Sequence, residues 1–290
     1  MIENILRTII LYAKVARAQV LFMPLLLVIC AYLYSNYHYH IVSVKSFVCV
    51  SISILFFNLS VNTISEYRDC QKGIDDIHSV GTKYRLVSGI VPKKNVLAIG
   101  VASFMLGAVS GIVALYFKPY SLIVPGIIGA IIAFFYSERP LGLKYKAHGE
   151  ICVFIVYGIL IFSSCILSLT HKICLKDILF SIPFGIFTTN VVLANNIRDC
   201  NFEKGKTVTL PIKFGLRFSY SLLFFITHVA FLLIPIFIYI GIIPKLGMIS
   251  LLAYPLLFSS IKKINSPKFV NIFGIIQVTF CILIGISFLL

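Results

Sequence analysis

Charged residues are scarce in this chain of 290 residues. They make up 12% of it, whereas about a quarter of the residues in a typical soluble domain are charged. Hydrophobic residues reach 59%, against roughly 45–50% in soluble proteins. Long apolar runs are separated by short basic clusters, and each run is near the ~20 residues that a helix needs to cross a bilayer. This composition excludes a soluble protein and predicts a bundle of membrane-spanning helices.

Metal-binding cysteine patterns are also missing from the sequence. The eight cysteines form no CxxC pair and no Cys/His spacing typical of a zinc site. Most of them lie inside apolar runs, which favours reduced, buried residues. Residues 1–19 mix charged and apolar residues, so we expect no cleavable signal peptide there and predict an interfacial amphipathic helix.

The apolar runs predict an all-α, multi-spanning membrane protein that forms a single domain over residues 1–290. Nine transmembrane helices would leave the two termini on opposite sides of the membrane. The predicted helices cover residues 18–36, 42–64, 96–117, 120–136, 151–170, 175–196, 217–240, 246–261 and 270–289.

The positions of Lys and Arg predict which side of the membrane each loop faces. All but five of them lie in the N-terminal segment or in the loops after the second, fourth, sixth and eighth predicted helices. The exceptions are Lys45, Lys118, Lys172, Lys176 and Lys245. Because basic loops stay in the cytoplasm, we expect these loops and the N-terminus to be cytoplasmic, in an inner or plasma membrane. The net charge of +15 then reflects topology and contact with anionic lipid, and no nucleic-acid partner is predicted.

Only ten residues are acidic, and six of them lie in two loops. The first acidic motif, residues 62–76, follows the second predicted helix and contains Asn62, Glu66, Asp69 and the pair Asp75-Asp76. If the helix continues through it, Asn62, Glu66 and Asp69 share one face. Concentrated carboxylates are unfavourable unless a cation lies between them, so the motif predicts a cation site.

The second acidic motif, residues 195–203, follows the sixth predicted helix, and its Asn195, Asp199 and Glu203 again share one helical face. Two facing oxygen-rich stripes are typical of Mg²⁺, which binds one or two carboxylates together with substrate phosphate oxygens. A diphosphate is therefore the implied ligand. Nearby basic residues can neutralise it, namely Lys72, Lys83, Arg85, Arg198, Lys204 and Lys206. Solvated ion pairs would explain either motif alone, but their repetition on one predicted side argues against that interpretation.

A few polar residues lie inside the predicted helices. Asn58 and Gln277 are interpreted as interhelical hydrogen-bonding residues and not as ligands. His228, within the seventh predicted helix, is expected to form a helix-facing hydrogen bond and not to act in catalysis. Cys70 and Cys200 lie beside the motif aspartates, but a thiolate is a poor ligand for Mg²⁺, so neither is assigned to the site.

Both motifs resemble those of the UbiA superfamily of intramembrane aromatic prenyltransferases, and the resemblance covers nearly the whole chain. Asn62 to Asp75 is similar to the first motif of the branch that prenylates 1,4-dihydroxy-2-naphthoate in menaquinone biosynthesis. Asn195 to Asp199, with Glu203 and Gly205-Lys206-Thr207, is closer still to the second motif. The segment from Tyr136 to Glu150 also resembles that branch, and Thr82 to Arg85 resembles the basic stretch of the family.

The resemblance implies nine helices around a central cavity and Mg²⁺-dependent transfer of a polyprenyl group from a prenyl diphosphate to an aromatic acid. The implied metal ligands are Glu66, Asp69, Asp75, Asp199 and Glu203. The implied catalytic residues are Asp69, Arg198 and Asp199. The implied substrate-binding residues are Asn62, Lys72, Lys83, Arg85, Tyr145, Asn195 and Lys206.

The chain departs from the family pattern at Glu66 and Glu203, where the family usually has Asp. Glu keeps the charge but places it one methylene farther out, so the geometry of metal binding should change. Dihydroxynaphthoate is the predicted acceptor, and 4-hydroxybenzoate, homogentisate or a specialised phenol stay open as alternatives. A lipid or ion transporter is the alternative from another class, although acids at loop ends fit it less well than acids at the membrane midplane.

Overall fold

The computed structural model describes residues 11–12, 18–75, 86–261, 263–264, 266 and 268–290. Every regular element in these ranges is a helix, which confirms the all-α prediction. Most of the predicted N-terminal interfacial helix lies outside the described residues. So do Asp76, Lys83 and Arg85.

Each predicted apolar stretch contains a helix, and we number these α1 to α9 in chain order. They are α1 Phe22–His38, α2 Val44–Gln71, α3 Lys93–Leu115, α4 Tyr120–Phe135, α5 Gly149–Thr170, α6 Leu175–Glu203, α7 Leu216–Tyr239, α8 Lys245–Ile261 and α9 Lys268–Ser287. Within the described ranges, six are long and apolar enough to cross a membrane: α2, α3, α5, α6, α7 and α9. The chain is therefore an integral membrane protein. Helix α1 has 17 residues and α4 and α8 are short as well, so nine crossings stays a prediction.

Helices α2 and α6 extend beyond the ends predicted for them. Predicted to end at 64 and 196, they continue to Gln71 and Glu203. The apolar pattern stops where polar side chains begin, but backbone hydrogen bonding continues through the polar turns. Because of this extension, the first motif is helical as far as Asp69 and the second motif is helical as far as Glu203. The spacing argument required a helix at both places.

Small residues allow α2 and α3 to pack closely. The hydroxyl of Ser60 donates to the carbonyl of Gly100 at 2.8 Å, and that of Ser53 donates to the carbonyl of Gly107 at 2.7 Å. Small residues and interhelical hydroxyl bonds are the usual means by which helices associate in lipid. This contact fixes α2, which carries the first acidic motif.

A glycine pair sets the crossing of α5 and α6. A Cβ atom built on Gly185 would lie 2.5 Å from the Cα atom of Gly158, so only glycine fits there. Helix α5 contains one π-helical turn at this crossing, Val156–Leu160. Phe180 and Phe184 of α6 pack with Phe162 of α5 in the fully buried core around it.

The start of α6 is held by a buried acid. Asp177 accepts hydrogen bonds from the hydroxyls of Tyr34 and Tyr39, both at 2.8 Å, and from the backbone N–H of Cys174 at 2.7 Å. These contacts attach the end of α1 to the first turn of α6. The second acidic motif lies at the other end of the same 29-residue helix.

Candidate active site

The first acidic motif forms a buried cluster at the end of α2. Glu66 and Asp69 are 3% exposed and Asp75 is 4% exposed. The helix ends because Gly73 adopts a positive φ of 66°, after which the backbone N–H of Ile74 returns to the carbonyl of Asp69 at 3.0 Å. This turn keeps Asp75 next to the helix end, where its backbone N–H also donates to the carbonyl of Asp69 at 3.4 Å.

Asp69 is bonded by two residues of the loop between α4 and α5. The Nζ atom of Lys144 contacts Oδ2 of Asp69 and also donates to Oγ of Ser65 at 2.6 Å. The hydroxyl of Tyr145 donates to Oδ1 of Asp69 at 2.8 Å. Burial raises the pKa of Tyr145, and the charge of Asp69 raises it further, so this tyrosine stays a neutral donor.

Several cationic side chains lie around this cluster. The Nζ atom of Lys72 lies 3.2 Å from the centre of the Tyr145 ring. Desolvation lowers the pKa of Lys72, while Asp69 opposes that shift and Arg139 and Lys144 add to it. Several cations held close together favour the binding of an anion such as a diphosphate.

The second acidic motif has a different arrangement. Arg198 donates to both carboxylate oxygens of its neighbour Asp199, with both distances 2.7 Å. Asn196 donates from Nδ2 to the buried carboxylate of Glu150 at 2.8 Å. Beyond Glu203 the chain turns at Gly205, whose φ is 83°.

Direct contacts connect the loop that follows the second acidic motif with the first motif and with the α4–α5 loop. Lys206 donates from Nζ to the carbonyl of Ile74 at 3.1 Å, which joins the second loop to the first. The N–H of Val208 donates to the carbonyl of Tyr145 at 3.3 Å, and the N–H of Ala147 donates to the carbonyl of Val208 at 2.7 Å. All three loops therefore lie on the same side of the helix bundle.

Beneath these loops lies an apolar cavity of about 700 Å³. Asn62 of the first motif and Asn195 of the second both line it. Most of its wall consists of aliphatic and aromatic side chains from α2 to α6. The cavity can take a hydrocarbon chain whose polar end lies between the two motifs.

The oxygen ligands present fit Mg²⁺ held jointly with a phosphate. Among the described residues, no group of three His, Cys, Asp or Glu side chains converges on one point as a self-sufficient metal site. Mg²⁺ usually binds only one or two carboxylates and completes its coordination with water and substrate phosphates. The carboxylates here are divided between two motifs and have cations around them, which agrees with that arrangement.

The structure brings several predicted residues together and leaves others apart. Asp69, Lys72 and Tyr145 form one cluster, and Lys206 reaches it through Ile74. Asp199 is paired with Arg198, and no described contact joins it to the first cluster. The predicted interhelical bonds of Asn58 and Gln277 are present, and His228 bonds the carbonyl of Phe224 in its own helix at 2.6 Å.

Sequence reasoning did not assign three residues that the structure places at the site. Lys144 forms a salt bridge with Asp69, and Glu138 forms a bidentate salt bridge with Arg68. Glu150 accepts a hydrogen bond from Asn196. Both glutamates bracket the α4–α5 loop, and that concentration of acids was the available signal. No local pattern distinguishes Lys144 from the other basic loop residues.

Comparisons with known proteins agree with this geometry. A model described as the UbiA prenyltransferase family matches residues 21–268. The chain is 30% identical over 178 residues to a 1,4-dihydroxy-2-naphthoate octaprenyltransferase of Bacillus subtilis (strain 168), covering 61% of this chain and 57% of that protein. It is 26% identical over 225 residues to the human UbiA prenyltransferase domain-containing protein 1, covering 76% of this chain and 64% of that one. The chain thus spans less than two thirds of the length of either curated relative.

Solved structures show the same fold. A UbiA homolog from Archaeoglobus fulgidus bound to DMAPP and Mg²⁺ superposes with a TM-score of 0.67 at 18% identity, over 96% of this chain and 98% of that one. A structure concerned with digeranylgeranylglyceryl phosphate synthase superposes with a TM-score of 0.65 at 17% identity, over 97% and 99% of the two chains.

Proposed function

Since the chain belongs to the UbiA prenyltransferase family, we propose that it transfers a polyprenyl group from a prenyl diphosphate to an aromatic acceptor in the membrane. The proposed acceptor is 1,4-dihydroxy-2-naphthoate, which would lose its carboxylate as carbon dioxide during the transfer. The Bacillus subtilis relative and the likeness of the second motif to the naphthoate branch support this choice.

One observation carries the proposal. The loops that bear the two acidic motifs meet, through Lys206 and Ile74, above an apolar cavity that Asn62 and Asn195 both line. A prenyl diphosphate has the same two parts, an anionic head and a hydrocarbon tail. Its head would lie among the carboxylates and cations, and its tail would lie in the cavity.

Five carboxylates would hold the metal with the diphosphate: Glu66, Asp69, Asp75, Asp199 and Glu203. When bound, Mg²⁺ neutralises charge on the departing diphosphate. Five basic residues would also bind the phosphate oxygens and neutralise charge on the diphosphate. They are Lys72, Lys83, Arg85, Arg198 and Lys206. Tyr145 would keep Asp69 oriented through its hydrogen bond of 2.8 Å.

The reaction exchanges one bond for another. The allylic C–O bond breaks and its electron pair leaves with the diphosphate. A ring carbon of the acceptor then forms the new C–C bond to the allylic carbon, while the cavity wall excludes water from the cation. With a naphthoate acceptor, the carbon that is attacked loses its carboxylate.

We further propose nine membrane crossings, with the acidic motifs at the cytoplasmic face of an inner or plasma membrane. The connected loops share one side of the bundle, and that side carries most of the Lys and Arg residues. Protease or thiol-labelling accessibility in sealed vesicles would test the orientation.

The deciding experiment incubates membranes containing the protein with Mg²⁺, a polyprenyl diphosphate and a panel of aromatic acids, and identifies the products by mass. We expect a prenylated, decarboxylated naphthoquinol that is absent with Asp69→Asn. Asp177→Asn is a matched control, since it changes a buried acid at the far end of α6 and should leave the product unchanged. Product from 4-hydroxybenzoate or homogentisate alone would reject the naphthoate assignment. Solute flux across vesicles without any prenylated product would favour a transporter.

A further inference from the structure

Among the polar side chains that line the apolar cavity, four lie on four different helices and on the bundle side of Asn62 and Asn195. They are Asn58 of α2, Tyr157 of α5, Thr188 of α6 and Gln277 of α9, and we call them the polar belt. Asn58 and Asp69 are eleven positions apart in one helix, as are Thr188 and Asp199 in another. At about 1.5 Å per residue, both belt residues lie roughly 16 Å along their helices from those carboxylates.

The hydrogen bonds of Gln277 fix the orientation of its amide group. Its Nε2 atom contacts Oγ1 of Thr188 at 2.6 Å, and Thr188 donates its own proton to the carbonyl of Phe184 at 2.9 Å. Thr188 must therefore accept from Gln277, which leaves the amide oxygen Oε1 as an acceptor. No donor among the described residues reaches that oxygen, although Gln277 is fully buried. An unsatisfied acceptor in an apolar wall costs free energy unless a ligand supplies a proton.

The second pair in the belt, Asn58 and Tyr157, presents a hydrogen-bond donor where the first pair presents an acceptor. Asn62 donates to Oδ1 of Asn58 at 3.2 Å, and Asn58 donates from Nδ2 to the hydroxyl oxygen of Tyr157. Since that oxygen accepts, Tyr157 keeps its own proton for another partner. Tyr157 lies in the π-helical turn of α5, a feature that often marks functional sites.

The glycine crossing places the two pairs near each other. Tyr157 adjoins Gly158, and Gly158 packs against Gly185, which lies one turn before Thr188 in α6. The belt therefore offers one acceptor, Gln277 Oε1, and one donor, the Tyr157 hydroxyl, on the wall of a single cavity. A prenyl chain can bond neither of them, because it is a hydrocarbon.

We propose that the polar belt binds the aromatic acceptor through two of its oxygens, an inference that rests on the proposed function. One ring hydroxyl donates to Gln277 Oε1, and a second ring oxygen accepts from Tyr157. The ligand class is an aromatic ring with two oxygen substituents. The prenyl tail then occupies the apolar part of the cavity lined by Ile112, Gly126 and Ile127 of α3 and α4.

A cycle that changes both the enzyme and the acceptor tests this assignment. Wild type, Gln277→Met and Tyr157→Phe are each assayed with a dihydroxy aromatic acceptor and with its two mono-O-methyl ethers. For wild type we expect kcat/KM to fall by about tenfold or more with the ether that blocks the donating hydroxyl. For Gln277→Met we expect a similar loss with the parent acceptor and little further loss with that ether. The KM for the prenyl donor should change by less than about twofold, because the donor head binds elsewhere.

Asn190→Leu is the matched control. Asn190 donates to Oγ1 of Thr227 at 2.7 Å, and Thr227 donates to the carbonyl of Leu223 at 2.6 Å, which repeats the Gln277 arrangement outside the cavity lining. It should lower thermal stability about as much as Gln277→Met while leaving discrimination between acceptor and ether at the wild-type level. If Gln277→Met and Tyr157→Phe both distinguished the acceptor from its ethers as well as wild type does, the belt assignment would be overturned, while prenyl transfer itself would stand. Absence of any prenylated aromatic product from wild type would overturn the proposed function, and this inference with it.

Discussion

Lys144 pairs with Asp69 across 75 positions of sequence, and the same amine donates to Ser65. A lysine thus neutralises the carboxylate that is proposed to bind Mg²⁺ with the diphosphate. The pair has side-chain exposures of 27% and 4%, so the contact is only partly screened by solvent. If a metal took the place of Lys144 on Asp69, the amine would be available to a phosphate oxygen of the substrate.

Removal of that amine should have two opposite effects. With Lys144→Met, Asp69 loses a competing cation, so we expect the Mg²⁺ concentration for half-maximal activity to fall. The KM for the prenyl diphosphate should rise by several-fold, because a phosphate-binding charge is lost. Steady-state kinetics at varied Mg²⁺ and varied donor would measure both. Lys146→Met is the control, since among the described residues the Nζ atom of Lys146 donates to a loop carbonyl, that of Pro140, and contacts no carboxylate. Parallel changes in both variants would contradict this role for Lys144.

Lys206 should matter more than its neighbour Lys204. Its Nζ atom joins the second loop to the first at the carbonyl of Ile74, whereas no described side-chain contact joins Lys204, just after α6, to the first loop. We expect Lys206→Met to raise the donor KM by about tenfold, consistent with the loss of a charge-assisted contact, and Lys204→Met to change it little. Equal donor KM values for the two variants would show that Lys206 contributes only to the membrane orientation of its loop and does not bind the donor.

Replacing a glycine at the crossing of α5 and α6 should lower the stability of the protein. Gly185→Ala places a Cβ atom 2.5 Å from the Cα atom of Gly158, so α5 and α6 must separate. Overpacking of this kind costs about 1–3 kcal/mol, and thermal unfolding in detergent should shift to lower temperature. Gly126→Ala is the control, because its Cβ would have no neighbour within 4 Å. An unchanged unfolding temperature for Gly185→Ala would contradict the packing described here.

Shortening both unusual glutamates should leave the product unchanged. Glu66→Asp with Glu203→Asp removes one methylene from each proposed ligand and keeps both charges. We expect the same prenylated product, with a modest change in rate or in preference between Mg²⁺ and Mn²⁺. Mass analysis and metal titration would measure these effects. A switch to another acceptor would instead mean that the glutamates define acceptor choice.

The sequence predicts the helices well because membrane-crossing segments carry a strong composition signal. It predicts their ends less well, since the polar turns of α2 and α6 look like loops by hydropathy. Helical spacing correctly grouped Asn62, Glu66 and Asp69, because that grouping is local. The contacts of Lys144 with Asp69 and of Lys206 with Ile74 depend on how distant loops fold together, and no local pattern encodes them. For the same reason, only Asn58 and Gln277 of the polar belt were singled out from the sequence, as interhelical hydrogen-bonding residues, whereas Tyr157 and Thr188 were not.

The central claim is that both acidic motifs bind one Mg²⁺–diphosphate head. Equilibrium binding of an unreactive prenyl thiolodiphosphate, with and without Mg²⁺, tests it most directly in wild type, Asp69→Asn, Asp199→Asn and the Asp177→Asn control. We expect binding that requires Mg²⁺ and weakens by at least about tenfold in each of the two motif variants, as the loss of a charge-assisted interaction predicts, with the control like wild type. Binding that is equally tight without Mg²⁺, or that Asp199→Asn leaves unchanged, would contradict the claim.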